Sequence, residues 1–326
     1  MLWTCNDGPG HDIYALDASG RHLATFYLST NVIDREDLAV GPGPVSGLSY
    51  LYVGDIGGND GRRQVQVLRI PEPFVDVGRI NSPVSQVFSG VSSFTLTYPD
   101  GAYDAESLMV DPISNDLFVV TKGSFGARVY RANLTERANG TSVALTFVRA
   151  LPFVSASAGD ISADGTLIVL RRENYAAVWE READESIDLA LSRAGRRIPV
   201  VGPPLEPNGE GVALLPNGLG YVTISEGENP AIYFFRARCP AAPEFSRLLE
   251  NRTASLTRSA TFRAKATGFP QPQYRWFFNG QLINGKRDNV LALAKLKPEQ
   301  AGEYAVTASN RYGNVTSTAT LTLVPR

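Results

Sequence analysis

Hydrophobic and polar positions alternate along most of this chain in short runs, and Gly, Pro, Asn or Asp closes almost every run. Period-two alternation puts successive side chains on opposite faces of an extended backbone. The pattern therefore predicts short β-strands joined by tight turns. One stretch, 182–193, has helical spacing instead. A seven-residue strand pattern recurs as LWTCNDG (Leu2–Gly8), LYVGDIG (Leu51–Gly57), LFVVTKG (Leu117–Gly123) and YVTISEG (Tyr221–Gly227). A degenerate copy, LIVLRRE (Leu167–Glu173), lacks the closing Gly. In chain order the copies start 49, 66, 50 and 54 residues apart.

Further strands flank each copy. An apolar run precedes four of them: Asp37–Val40, Ser107–Val110, Asp160–Ser162 and Val212–Leu215. Hairpin dipeptides Asp164-Gly165 and Asn217-Gly218 link two of these runs to their copies. An Ile/Val strand follows, as at Ile13-Tyr14, Val65–Leu68, Val129-Tyr130, Val178-Trp179 and Ile232-Tyr233. Outer strands such as Leu23–Leu28 and Val143–Phe147 come after most of these. Four short strands per unit of about 50 residues is the arithmetic of a β-propeller blade. The expectation for 1–238 is an all-β propeller of about five blades. The first blade is incomplete, because nothing before Leu2 supplies its innermost strand, and a truncated start is the favoured explanation.

The composition changes after Arg236. Residues 239–246 read as a Pro-rich linker, and 247–326 as a second all-β unit with strands at Ala260–Ala264, Tyr274–Phe278, Val290–Leu293, Gly302–Val306 and Ser317–Leu323. Trp276 in YRWFF, Tyr304 in GEY and the hairpin Ala308–Gly313 resemble an immunoglobulin domain of the I-set. The resemblance implies a β-sandwich with a tyrosine corner and an adhesion or spacer role. Ala264 and Val306 stand where that family has its disulfide cysteines, and Gln300 replaces the usual corner Asp.

The first unit has its own resemblance, carried by Leu2–Asp7, Asp34–Gly41, Leu51–Asn59, Asp104–Pro112 and Gly209–Ala213. These segments look like a secreted bacterial-type β-propeller family distantly related to esterase-like phytases. Relatives in that family usually carry sequence ahead of the Leu-Trp segment, and the family's activity is poorly defined.

Composition narrows the function mainly by exclusion. Lys+Arg (31) and Asp+Glu (33) nearly cancel, so no electrostatic footprint for nucleic acid exists. No apolar run is long enough to span a bilayer. Two histidines make a His-rich metal site or a Ser-His-Asp triad improbable. There is no Gly-x-Ser-x-Gly elbow and no Walker loop. Cys5 and Cys239 lie near the two ends of the first unit. They are either unrelated thiols or one disulfide tying those ends together in an oxidising compartment. Four sequons, at Asn133, Asn139, Asn251 and Asn314, are candidate glycosylation sites.

Propeller geometry brings the start of each innermost strand and the end of the next strand to one mouth of the central channel. Glu36, Glu106 and Glu210 stand at the first place, with Ser157 in the fourth unit. At the second place are Asp7, Lys122, Arg172 and Glu226, and one residue earlier Asp55 and Arg171. Glu36, Asp55, Glu106 and Glu210 are thus candidate ligands for Ca²⁺, a hard cation that prefers oxygen. The same residues could be scaffold, or could support hydrolysis with Lys122 and Arg171 holding an anionic ester. The sequence favours an extracellular or cell-surface binding or structural protein with protein or glycan partners, and homo-assembly through exposed strand edges as one option. The alternative is a Ca²⁺-dependent hydrolase of esters or phosphoesters at the channel mouth.

Overall fold

Each of the five repeats forms a strand, and each of those strands anchors one sheet. The repeat strands are Leu2–Cys5, Ser49–Asp55, Asp116–Thr121, Leu167–Arg172 and Gly220–Ser225. The computed structural model describes residues 1–326 apart from 31, 59–60, 79–82, 183, 217, 219, 228–229, 237–240, 270 and 326. The protein is all-β, and among the described residues its α-helix is limited to Ile187–Leu191. Ser186 caps that helix by accepting from the Leu189 amide, which sets its start five residues later than the spacing predicts. The chain divides into two units, Met1–Ala237 and Arg238–Arg326.

In the first unit, four repeat strands pair on one side with an inner strand: Arg35–Pro42, Ala105–Val110, Ala158–Ile161 or Gly209–Leu214. All these pairings are antiparallel. The first repeat strand, Leu2–Cys5, pairs only with Asp12–Leu16 and lies at the edge of its sheet. Outer strands are borrowed along the chain. Val84–Val87 adds in parallel to the first sheet, and Ser142–Ala144 adds in parallel to the second. The inner strands lie side by side in chain order. Buried acids stitch them together: Asp37 accepts from the amides of Leu108 (2.8 Å) and Gly159 (3.4 Å), and Asp160 from that of Leu214 (2.7 Å).

From the first sheet to the fifth, the apolar faces of neighbouring sheets pack on one another. Ile13, Phe26, Leu51 and Leu68 fill the space between the first and second sheets. Tyr52, Phe94, Leu108 and Val119 do so between the second and third, and Phe118, Val129, Ile168 and Trp179 between the third and fourth. Between the fifth and first sheets lies a cleft lined by Leu2, Trp3, Leu38, Val212 and Val222.

The second unit is a sandwich. One layer orders its strands Arg252–Ser255, Gly313–Val324, Gly302–Asn310, Gln273–Phe278 and Gln281–Leu282. Facing it are the pairs Ala241–Arg247 with Lys265–Phe269 and Ala260–Arg263 with Val290–Leu293. Most of the stretch expected to be a linker is therefore strand. Pro243 is tolerated there because the strand lies at a sheet edge, and Phe245 packs against the core. Trp276 is fully buried and donates from its indole to the Asp288 carbonyl at 2.8 Å. Phe262 stacks on Tyr304, whose hydroxyl donates to the Gln300 carbonyl at 3.0 Å. Ala264 and Val306 are buried beside them as packing groups. Asn279 and Gly280, both at positive φ (45° and 77°), form the hairpin turn the sequence predicts.

Candidate functional site

A register shift opens three of the four inner strands. Pairing skips one residue between Arg35 and Asp37, between Ala105 and Ser107, and between Gly209 and Gly211. The skipped residues are Glu36, Glu106 and Glu210. A bulge adds one residue to a strand and re-aims its side chain, so the three glutamates are set by the same device. The fourth inner strand keeps its register and carries no glutamate there.

Five carboxylates converge where these bulges meet. Oxygens of Asp7, Asp34 and Glu36 lie within 4.8 Å of one another, as do those of Glu36, Asp104 and Glu106. Glu36 belongs to both groups. Its carboxylate lies over the backbone of Gly57, where a Cβ would come within 1.8 Å of Glu36 Oε1 and 2.8 Å of Asp34 Oδ2. The Gly that closes the second repeat thus leaves the space these acids occupy. Lys122 at the end of the third repeat strand pairs with Glu106 Oε1. Glu106 is 7% exposed, and its buried Oε2 has no hydrogen-bond partner. Glu210 and Glu226 extend the acidic surface, and the Asn208 amide reaches Glu226 at 3.4 Å.

Crowding and burial oppose ionisation here. Burial, and then the charges of Asp7, Glu106, Asp34 and Asp104, push Glu36 up to about 10. Burial raises Glu106 to about 7 against the opposing pull of Lys122. Burial also raises Asp34, Glu210 and Glu226, with neighbouring carboxylates adding to the effect. For Lys122, burial favours the neutral amine, but the bond to Glu106 and the surrounding acids outweigh it and its pKa rises.

The structure brings Glu36, Glu106, Glu210, Asp7, Lys122 and Glu226 to one place and separates three other candidates from it. Asp55 is 2% exposed and is not a ligand. It accepts from the amides of Ile33 and Asp34 and pairs with Arg62 at 2.8 Å. Arg171 is fully buried, pairs with Glu206 at 2.7 Å and donates to the carbonyls of Gly211 and Ile224, so it cannot hold a substrate anion. Arg172 lies over the Tyr175 ring. Burial pushes the Cys5 thiol up to about 12. The proposed Cys5–Cys239 pairing lies outside the described residues, because Cys239 does. Asn133, Asn139, Asn251 and Asn314 are all exposed.

Sequence reasoning missed Asp34 and Asp104. The signal was present: each stands two residues before a bulged glutamate, as Asp34-Arg-Glu36 and Asp104-Ala-Glu106. Asn208-Gly-Glu210 repeats the spacing with an amide. The donor set is carboxylate oxygen throughout, which suits a hard cation rather than zinc or copper.

Residues 243–323 match the Immunoglobulin I-set domain family. Mouse myopalladin is 32% identical over 98 residues, covering 25% of this chain and 8% of myopalladin. Rat nexilin is 33% identical over 91 residues, covering 25% of this chain and 14% of nexilin. This chain thus spans a small fraction of the length of the curated relatives it matches. A titin Z1Z2 chimera is similar at 29% identity and a TM-score of 0.26, covering 27% of this chain and 100% of the chimera. The sandwich of the second unit, with its buried Trp276 and tyrosine corner, is an immunoglobulin I-set domain.

Proposed function

We propose that this chain is a non-catalytic binding or structural protein of the cell surface or extracellular space, in which a β-propeller of about five blades, the first incomplete, is joined to an I-set domain that binds protein partners. The I-set match carries the reading, since similar domains occur in myopalladin, nexilin and contactin-6. One solved neighbour is a complex of titin M10 with obscurin-like 1. The five face-packed sheets and the sequential inner strands support the propeller. Four exposed sequon asparagines support the extracellular setting.

The hydrolase alternative draws support from Lys122 beside convergent carboxylates. It is weakened by the loss of Arg171, expected to hold the substrate anion, to an internal pair with Glu206. The test is turnover of p-nitrophenyl phosphate and p-nitrophenyl acetate by the full chain with added Ca²⁺, alongside Glu106→Gln. Binding of cell-surface protein to the immobilised chain is measured in parallel, with and without Tyr312→Ala in the exposed I-set hairpin. The proposal expects no turnover and binding weakened by Tyr312→Ala. Turnover abolished by Glu106→Gln would establish the hydrolase instead.

A further inference from the structure

We propose that Glu36, Asp104 and Glu106 bind one Ca²⁺ ion at the bulged starts of the second and third inner strands, with Asp7 and Asp34 extending the site toward solvent. An acidic cluster alone would not carry this. Two further observations do. Glu106 is buried, with one oxygen taken by Lys122 and the other left without any partner. Buried polar atoms are almost always satisfied, and an unpaired carboxylate oxygen is the rarer and costlier case. Glu106 is a member of the group of carboxylates that a cation would join. The second observation is the vacancy of side chain at Gly57, which lets Glu36 and Asp34 come down onto the backbone.

Donor chemistry selects the ion. Every ligand in both groups is a carboxylate oxygen, the donor that Ca²⁺ prefers, and Ca²⁺ accepts irregular sets of such oxygens. Mg²⁺ demands near-octahedral order and gives up its waters reluctantly. With no His or Cys in either group, zinc and copper lack their preferred donors. Charge points the same way, since Lys122 is the sole cation paired with this cluster among the described residues. A divalent ion would relieve the repulsion among carboxylates held this close together, Glu36 being shared by both groups.

The test uses the full chain stripped of metal by chelator and dialysis. CaCl₂ is titrated by calorimetry, and thermal melts are recorded with Ca²⁺, with Mg²⁺ and with neither. The proposal expects one Ca²⁺ per chain, a melting temperature of the first unit several degrees higher with Ca²⁺, and a smaller rise with Mg²⁺. Glu36→Gln and Asp104→Asn should each weaken Ca²⁺ binding at least tenfold, whereas Glu299→Gln in the I-set domain should not. If Glu36→Gln fails to fold, Asp104→Asn carries the comparison, its native fold checked by circular dichroism. Absence of saturable heat and of any melting shift at millimolar Ca²⁺ overturns the site. So does unchanged affinity in a folded Asp104→Asn. An equal response to Mg²⁺ overturns the choice of ion.

Discussion

The two units of this chain are built from the same short alternating strands but hold together differently. In the I-set domain the buried polar or charged residues reduce to Ser317 among those described, and the interior is a continuous apolar cluster around Trp276. In the first unit an arginine secures each sheet-to-sheet junction from first to fifth. Arg35 reaches from the second sheet to the carbonyls of Asn6 and Gly10. Arg69 reaches from the second sheet to the carbonyls of Leu134 and Arg137, just past a third-sheet strand. Asp111 and Arg181 join third to fourth at 2.8 Å, and Arg171 with Glu206 joins fourth to fifth. A two-layer sandwich buries each strand's inward face against one partner layer, so packing alone suffices. A row of sheets must fix each sheet's position along its neighbour, and directional charge-assisted bonds supply that alignment.

The strongest test of this contrast is Arg171→Ala. It leaves Glu206 buried without its partner, and should destabilise the first unit by about 3–5 kcal/mol while leaving the I-set transition in place. Denaturant unfolding followed separately for each unit checks this. The double change Arg171→Met with Glu206→Leu should recover most of the loss, because a packed apolar pair removes both charges together.

The converse experiment adds a staple to the unit that relies on packing. Ala264→Cys with Val306→Cys restores the pair the family usually has, and under oxidising conditions should stabilise the I-set domain by about 2–4 kcal/mol. A melt with and without reductant reads the gain, and equal melting in both would show that the sandwich is already aligned without it.

A pH series sharpens the contrast further. Burial pushes Asp160 up to about 7 from 3.8, with the amides of Leu214 and Ile161 opposing the shift. Between those values the unfolded chain has released this proton and the folded chain retains it. The Asp160 contribution to the stability of the first unit should therefore fall as pH rises from about 4 to about 7 and flatten above that. Asp160→Asn should remove this component of the slope, and the I-set domain should show no counterpart to it. The smallest effect is expected at the tyrosine corner. Tyr304→Phe deletes one hydrogen bond to Gln300 and keeps the ring stacked on Phe262, for a loss of about 0.5–1.5 kcal/mol on thermal unfolding.

How much of this was legible in the sequence also differs between the units. The I-set domain declares itself through local signals, such as Asn279-Gly280 and Tyr304, that need no distant partner to interpret. In the first unit the strands and the three glutamates follow from the repeat. The errors at Asp55 and Arg171 have a single cause. They occupy the same repeat position as Thr121 and Ser225, and all four are buried, at 2%, 0%, 2% and 6% exposure respectively. One residue on, Lys122 and Glu226 are exposed. Grouping the two positions together therefore placed buried residues at the mouth. What alternation could not reveal is which charge would meet which, because Arg62 and Glu206 come from loops whose paths depend on the assembled sheets.

The edge strand Leu2–Cys5 has a consequence for how the first unit comes apart. Every other repeat strand is laddered on both sides, whereas this one meets the fifth sheet only across a cleft. A row of sheets with one unladdered boundary behaves like a zipper with an open end: fluctuations start there and travel inward. Amide exchange should be fastest on Leu2–Cys5 and slowest on the doubly laddered Asp116–Thr121, so local opening would begin beside Asp7, at the edge of the carboxylate cluster.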